Sequence, residues 1–266
     1  MPEITASMVK TLRDQTGQGM MDCKEALQES DGDVEAAKDL LRKKGLVTAE
    51  KKADRATGEG MIAISSAPDG TAAAMVEVRC ETDFVVRNDD FREMVRDLAN
   101  QALESGVEGA VPATEQMQDR LQQALAKIGE NMGYARGVRI AAPRVGTYVH
   151  HNNQVGVIVG VSGDIDDETL ANLCMHIAFA DPVGITCKDV PEELVEKERR
   201  FAAEEAAQSG KPPEIIEKIV SGKVRKFLST KALLEQPYVR DDQKKVKDVL
   251  GDVTVTGFAR FSVGQV

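Results

Sequence analysis

The hydrophobic period of this chain changes between residues 74 and 102, and this change constrains the fold more than any other feature. Residues 74–80 carry small or apolar side chains at every even position, which is the period of a half-buried strand. After residue 90 apolar side chains recur every three or four residues, which predicts a helix. Asn88, Asp89 or Asp90 is the candidate N-cap of that helix. Residues 82–86 are therefore expected at a strand-to-helix corner.

Phe84 lies in this corner beside Asp83. An aromatic side chain at such a position either packs into the protein's own core, as large aromatics usually do, or is presented to a partner. The residues alone leave both interpretations open.

Length and composition indicate a globular protein. The 266 residues suffice for a sizeable core and more than one folding unit. Hydrophobic residues make up 42% and charged residues 29%, and no apolar run approaches the ~20 residues of a membrane span. The first five residues lack the basic-then-apolar pattern of a signal peptide, so a cytoplasmic location without membrane contact is expected.

The net charge of -10 argues against direct binding of nucleic acid, and aromatic residues are scarce at 4%. One local exception is the basic run formed by residues 42–44, 51–52 and 55. It is either a solvated helical face or a docking surface for an acidic partner. Cys23, Cys80, Cys174 and Cys187 are expected as reduced, buried thiols.

Residues 1–45 predict three short helices capped by Thr5, Asp22 and Asp33, the third closed by Gly45. Met20 and Met21 would then lie in the glycine-rich loop before the second helix. They either complete a thin core or form an exposed, adaptable apolar contact.

The remainder predicts an α+β fold with a weak internal duplication. Each copy reads as a hairpin of antiparallel strands, a helix, a helical region and a closing strand. The first copy comprises strands at 61–64, 72–80 and about 138–140, with helices at 89–104 and 114–131. The second comprises strands at 146–150, 155–161 and 253–263, with a helix at about 170–178.

An insertion separates the last helix of the second copy from its closing strand. Two helical segments, each with apolar side chains along one face, flank a break at 209–213. They cover residues 191–208 and 214–228 and predict an antiparallel helical hairpin. The stripe of the first arm is read as Leu194, Val195, Phe201, Ala202 and Ala206. The hairpin is either a self-contained strut or an interaction arm.

No motif for chemistry or nucleotide binding is complete. Residues 221–223 read Ser-Gly-Lys but have Glu217 where a phosphate-binding loop needs its first glycine. A metal would have to use His150, His151, His176 and the cysteines. Cys174 and His176 lie two apart on a predicted helix and point to different faces, and His150 and His151 lie on opposite faces of a straight strand. We therefore expect no metal, no cofactor, no nucleotide bound by the chain itself and no enzymatic activity. His150, at the end of a hairpin, is better read as a surface contact.

Several motifs in this order resemble the bacterial elongation factor Ts family. They are ITASMVK at 4–10, TGQGMMDCK at 16–24, TDFV at 82–85, KIGEN at 127–131, SGKP at 209–212, EQP at 235–237 and VTGFARF at 255–261. The resemblance covers nearly the whole chain.

The resemblance implies a ubiquitin-associated-like three-helix module with its linker at 1–55 and a core of two similar α+β subdomains at 56–143 and 144–266. It also implies that the hairpin at about 190–229 is an inserted coiled coil. The chain ends at Val266, so contacts made by the extra C-terminal helix of some relatives are expected to be missing.

The resemblance further implies a guanine-nucleotide exchange factor for the translational GTPase elongation factor Tu. Thr82, Asp83, Phe84 and Val85 would dislodge the Mg²⁺ of the GTPase, with Asp83 and Phe84 intruding into it. Met20, Met21 and His150 would make further contacts. The alternative from another class is a passive adaptor or holdase that tethers partners without affecting nucleotide.

Overall fold

The computed structural model describes residues 4–52, 54–208 and 212–265, apart from the side chains of 46–51. Within these residues the fold is α+β, as predicted, and it contains ten α-helices and nine strands. No helix of the described part is both long and apolar enough to cross a membrane. The chain divides into two compact units: Met1–Ser65, Ala74–Arg139 and Ser262–Val266 form the first, and Ser66–Ala73 and Ile140–Phe261 the second.

Three helices open the first unit: α1 (Ala6–Thr16), α2 (Met20–Glu29) and α3 (Val34–Lys52). Thr5 caps α1 as predicted, because its side chain accepts a hydrogen bond from the backbone N–H of Met8. Gly17 ends α1 in the left-handed conformation, with φ of 67°. The helices enclose a small apolar core: Val9, Leu12, Cys23, Ala26, Leu27, Ala37 and Leu41.

Two predicted boundaries in this region are wrong. Gly19, not Asp22, is the N-cap of α2, and Asp22 lies in the first turn, where a carboxylate is favoured by the helix dipole. Gly45 does not end α3, which continues to Lys52. Gly45 instead lies against α6 (Glu115–Ile128), where an added Cβ would be 2.8 Å from the Cβ of Ala126.

The core of the first unit is a sheet covered by helices. Its further elements are β1 (Glu59–Ser66), β2 (Ala72–Cys80), α4 (Asp83–Val86), α5 (Asp89–Glu104), β3 (Gly109–Ala110) and β4 (Met132–Ala141). The strands lie in the order β1-β2-β4-β3. Helices α5 and α6 bury their apolar faces against the sheet, and Phe91, Met94 and Leu98 of α5 are fully buried. Helix α6 ends at Ile128, earlier than predicted, because Gly129 takes the left-handed conformation with φ of 82°.

The second unit repeats this arrangement. Its elements are β5 (Arg144–Val149), β6 (Val155–Ser162), α7 (Asp167–Ala180), α8 (Glu192–Ala207), α9 (Pro213–Lys231), β7 (Pro237–Tyr238), β8 (Asp241–Lys245), α10 (Val246–Leu250) and β9 (Thr254–Ser262). The main sheet has the order β5-β6-β9, so the closing strand again lies beside the second strand of the hairpin. Helix α7 packs on this sheet through Leu170, Leu173 and Ile177.

Helices α8 and α9 pack against each other along their length. Ala202 and Ala206 of α8 and Val224 of α9 are buried, while Leu194 and Phe201 are exposed. The predicted stripe of the first arm was therefore wrong for Leu194 and Phe201. Only the side of α8 that faces α9 is buried, and the small Ala202 and Ala206 occupy it. Residues 209–211 of the break predicted at 209–213 lie outside the described residues, and its last two residues are the N-cap Pro212 and the first residue of α9, Pro213.

Three of the four cysteines are buried as predicted, but Cys187 is exposed. It lies in a turn in which Asp189 Oδ2 accepts a hydrogen bond of 2.7 Å from the backbone N–H of Thr186. The turn leaves the intervening side chain on the surface.

Candidate protein-interaction site

The predicted corner forms one turn of helix, α4, between β2 and α5. The backbone N–H groups of Arg87 and Asn88 donate to the carbonyls of Phe84 and Val85 at 3.1 and 2.9 Å. The Asn88 side chain then caps α5 by accepting from the N–H groups of Asp90 and Phe91. Strand, turn and helix therefore follow one another without a flexible connection.

Neighbouring residues of α4 have opposite environments. The side chain of Val85 is buried in the core beneath α5, with 4% of its surface exposed. Phe84 is 75% exposed. Burial of Val85 fixes the turn to the core, and the helical geometry then directs the aromatic ring of Phe84 into solvent. The first of the two interpretations of Phe84, packing into its own core, is thereby excluded.

Asp83 and Arg87 form an ion pair of 2.9 Å across this turn, and both side chains are exposed. Such an exposed pair contributes little to stability, so it is available for exchange with a partner's charges. The Arg92 Nε group donates to the carbonyl of Val86 at 2.8 Å and fixes the C-terminal end of the turn.

Polar groups also fix the N-terminal end of the turn. The hydroxyl of Thr82 donates to the carboxylate of Glu130, at 3.1 and 3.0 Å from its two oxygens. The Cys80 thiol donates to the carbonyl of Thr82 at 3.3 Å. Burial, with the nearby Glu130 charge, raises the pKa of Cys80 to about 12, so this thiol is a structural group rather than a nucleophile.

Glu81 connects three segments of the first unit. Its carboxylate accepts a hydrogen bond of 2.6 Å from the backbone N–H of Asn131 and pairs with the guanidinium of Arg55 at 3.3 Å. The Asn131 side chain donates in turn to the carbonyl of Arg55 at 2.9 Å. The hydrogen bond from Asn131, followed by the contacts with Arg55, holds the pKa of Glu81 below its usual value.

Met20 and Met21 also belong to the first unit. They are the first two residues of α2 rather than part of the preceding loop, and they are 49% and 65% exposed. Two adjacent exposed methionines form an adaptable apolar surface. The small core of the three helices is completed without them.

His150 belongs to the second unit and follows β5. A hydrogen bond of 2.8 Å links its Nδ1 atom to the hydroxyl of Tyr148, and its ring centroid lies 4.2 Å from that of His151. The backbone of His150 closes the hairpin, donating to the carbonyl of Val155 and accepting from the N–H of Asn153. The ring is therefore held in one orientation at the end of the hairpin.

The third histidine is structural. His176 is buried, with its Nε2 atom 2.9 Å from Gln236 Oε1 and its Nδ1 atom accepting a hydrogen bond from the N–H of Val239. Burial lowers the pKa of His176. In the part of the chain that the structure describes, no three His, Cys, Asp or Glu side chains are grouped to hold a metal ion.

Comparison with known proteins decides the family. A family model described as elongation factor TS matches residues 81–265. An elongation factor Ts of Hydrogenovibrio crunogenus is 43% identical over 272 residues, covering 98% of this chain and 92% of the relative. The elongation factor Ts of Desulfovibrio desulfuricans is 40% identical over 283 residues, covering 99% of both chains. That of Aquifex aeolicus is 40% identical over 280 residues, covering 96% of both.

This chain belongs to the elongation factor Ts family. The matched segment of this family member contains the corner residues Thr82–Val85 and also His150. Met20 and Met21 precede that segment but lie within the near-complete alignments to the relatives.

Sequence reasoning missed the contacts of Glu81 and Glu130 beneath the corner. Glu130 is 48 residues from Thr82, so no local period could reveal the contact. The available signal was the presence of both segments, TDFV and KIGEN, among the motifs that carry the family resemblance.

Proposed function

We propose that this chain is a guanine-nucleotide exchange factor that binds the GDP form of elongation factor Tu and accelerates GDP release. The observation that carries the proposal is Phe84, an aromatic side chain 75% exposed on a turn fixed at both ends, in a member of the elongation factor Ts family. The chain makes or breaks no bond in this role. The nucleotide is bound by the partner and not by this chain.

The corner acts on the metal site of the partner. Asp83 and Phe84 intrude beside the nucleotide, and residues Thr82–Val85 together displace Mg²⁺. Because Mg²⁺ neutralises the phosphates of GDP, its loss removes a large electrostatic share of nucleotide affinity. Burial of the exposed part of the Phe84 ring supplies about 2 kcal/mol toward this distortion.

Binding of the factor and binding of GDP are coupled and reciprocal. If the factor weakens GDP binding, GDP weakens factor binding by the same ratio. Incoming nucleotide therefore releases the factor, which can act repeatedly instead of remaining bound.

The remaining elements follow the division that the family resemblance implies, and two of them make further contacts with the GTPase. Residues 1–55 form a ubiquitin-associated-like module with its linker, and Met20 and Met21 contact the GTPase from it. The core subdomains span 56–143 and 144–266, and His150 of the second contacts the same GTPase. Helices α8 and α9, at about 190–229, are an inserted coiled coil.

Release of a fluorescent GDP analogue from purified elongation factor Tu, followed by stopped flow, tests the proposal. The wild-type chain should accelerate release, and Phe84→Ala should lower the catalytic efficiency about 10- to 30-fold, which corresponds to the ~2 kcal/mol of ring burial. Phe201→Ala is the matched control, because Phe201 is also exposed, at 58%, but lies on α8. It should leave the rate unchanged.

The same assay decides against the proposal if the wild-type chain binds the GTPase without accelerating GDP release. That result would instead describe a passive adaptor. Equal rates for wild type and a folded Phe84→Ala variant would remove the corner from the mechanism.

A further inference from the structure

The strand-to-helix corner and the loop after α6 hold each other through their side chains. Glu81, just before the corner, accepts from the backbone N–H of Asn131 at 2.6 Å. Glu130, in the loop, accepts from the hydroxyl of Thr82 at 3.1 and 3.0 Å. Each segment thus supplies a carboxylate to a donor of the other. We call these two contacts the corner bonds.

Further contacts connect the residues of the corner bonds to the C-terminal end of α3 and the segment that follows it. Arg55 pairs with Glu81, and its carbonyl accepts from the side chain of Asn131. The Lys52 ammonium donates to the carbonyl of Gly129. The segment that leaves the three-helix region is therefore attached to the same loop that holds the corner.

The corner bonds are important because they hold the part of the corner that precedes Phe84. The two other fixed points of the turn, the buried Val85 side chain and the bond from Arg92 to the carbonyl of Val86, both follow Phe84 in sequence. On the side that precedes Phe84, the described contacts are the corner bonds, the hydrogen bond of the Cys80 thiol and the ion pair of Asp83 with Arg87, which is exposed and therefore weak. Hydrogen bonds to ionised carboxylates are stronger than neutral ones, and Glu81 and Glu130 are both shielded in part from solvent.

We infer that Glu130 is a positioning residue for nucleotide exchange, which orients Phe84 through Thr82 without touching the partner's nucleotide. This inference rests on the proposed function. With the corner bonds intact, the turn is presented in the conformation that enters the partner. Without the Glu130 bond, only a fraction of the molecules has that conformation, and the apparent dissociation constant rises by the inverse of that fraction. The maximal rate of GDP release is retained, because the complex has the same structure once it has formed.

Two measurements on Glu130→Ala test the inference. In the free protein, backbone hydrogen exchange at Arg87 and Asn88 should become about 10-fold faster, because their hydrogen bonds to the carbonyls of Phe84 and Val85 open more often when one end of the turn is released. In the exchange assay, KM for the GDP-bound partner should rise about 5- to 10-fold while kcat stays within about twofold.

Conservative and control variants separate positioning from general damage. Glu130→Gln retains an acceptor for the Thr82 hydroxyl and should recover most of the wild-type KM. Thr82→Val removes the donor of the same bond while keeping the shape of the side chain, and it should reproduce the faster exchange at Arg87 and Asn88. Asp97→Asn breaks the 3.0 Å ion pair with Arg120 between α5 and α6 and should leave both readouts unchanged.

Unchanged hydrogen exchange at Arg87 and Asn88 in both Glu130→Ala and Thr82→Val would overturn the inference. A fall in kcat with unchanged KM would also overturn it, because Glu130 would then act on the bound partner directly. If Glu130→Ala fails to fold, the Thr82→Val measurement decides alone. Failure of wild-type protein to accelerate GDP release would refute the proposed function, while the hydrogen exchange of the free protein would still report on the corner bonds.

Discussion

Substitution of Gly45 by alanine sets two opposing effects of known size against each other. Gly45 lies in the interior of α3, where alanine is intrinsically favoured over glycine by about 1 kcal/mol. A Cβ at this position would lie 2.8 Å from the Cβ of Ala126 on α6, a separation that real side chains do not adopt. Both atoms are attached directly to helix backbones, so relief requires a shift of a whole helix. Overpacking of this kind costs about 1–3 kcal/mol.

The structure therefore predicts that Gly45→Ala lowers the free energy of unfolding by about 1 kcal/mol, although helix propensity alone predicts a gain of similar size. A double-mutant cycle with Ala126→Gly, measured by urea denaturation with far-UV circular dichroism, isolates the contact. Ala126→Gly removes the opposing Cβ, so the two substitutions together should be more stable than their sum by about 1–3 kcal/mol. Additive effects, or a Gly45→Ala protein more stable than wild type, would refute the close approach of α3 and α6.

Two further predictions concern the titratable side chains. Burial lowers the pKa of His176 in the folded protein, so the unfolded chain binds the proton first, and stability should fall as the pH drops below the ordinary histidine value near 6.5. His176→Gln should reduce the dependence of the free energy of unfolding on pH between pH 7 and 5, as measured by denaturation. An unchanged pH dependence in this variant would contradict the prediction. Cys187 is exposed, whereas burial raises the pKa of Cys80 and Cys174 to about 12, so a thiol reagent at pH 8 should label Cys187 well before Cys80 and Cys174. Peptide mapping that finds Cys80 or Cys174 labelled first would contradict the burial of those thiols.

The regular elements of the core could be predicted because their side chains follow the period of the element. Strand β2 was predicted with its observed bounds, Ala72–Cys80, and Asn88 was among the three candidates for the cap of α5. In both cases the signal lies within the segment itself, where burial and capping depend on neighbours in sequence.

The wrong boundary at Gly45 reflects a contact between distant segments, whereas the wrong environment of Cys187 reflects a local turn. Glycine usually ends a helix, but Gly45 remains inside α3 because α6 approaches too closely there for a side chain. Cys187 was expected inside on the general behaviour of cysteine, whereas the turn stabilised by Thr186 and Asp189 places it outside.

The exposure of Phe84 could not be derived from its own residue type, which favours burial. It follows from the one-turn helix α4, whose Val85 occupies the core and leaves Phe84 outside. That turn is too short to show a period in the sequence. The family resemblance identified the residue, and the structure supplies the physical reason for its exposure.

The claim that the corner accelerates GDP release by displacing Mg²⁺ is tested most directly with the Phe84→Ala variant, by asking whether its slower GDP release depends on Mg²⁺. Release of fluorescent GDP from elongation factor Tu would be measured with wild-type and Phe84→Ala protein, first in millimolar Mg²⁺ and then after chelation. If the corner acts by displacing Mg²⁺, the defect of about 10-fold or more seen with the metal should shrink to within about threefold once the metal has been removed. An equal defect in both conditions would show that Phe84 contributes to binding alone, and the account of the corner would be contradicted.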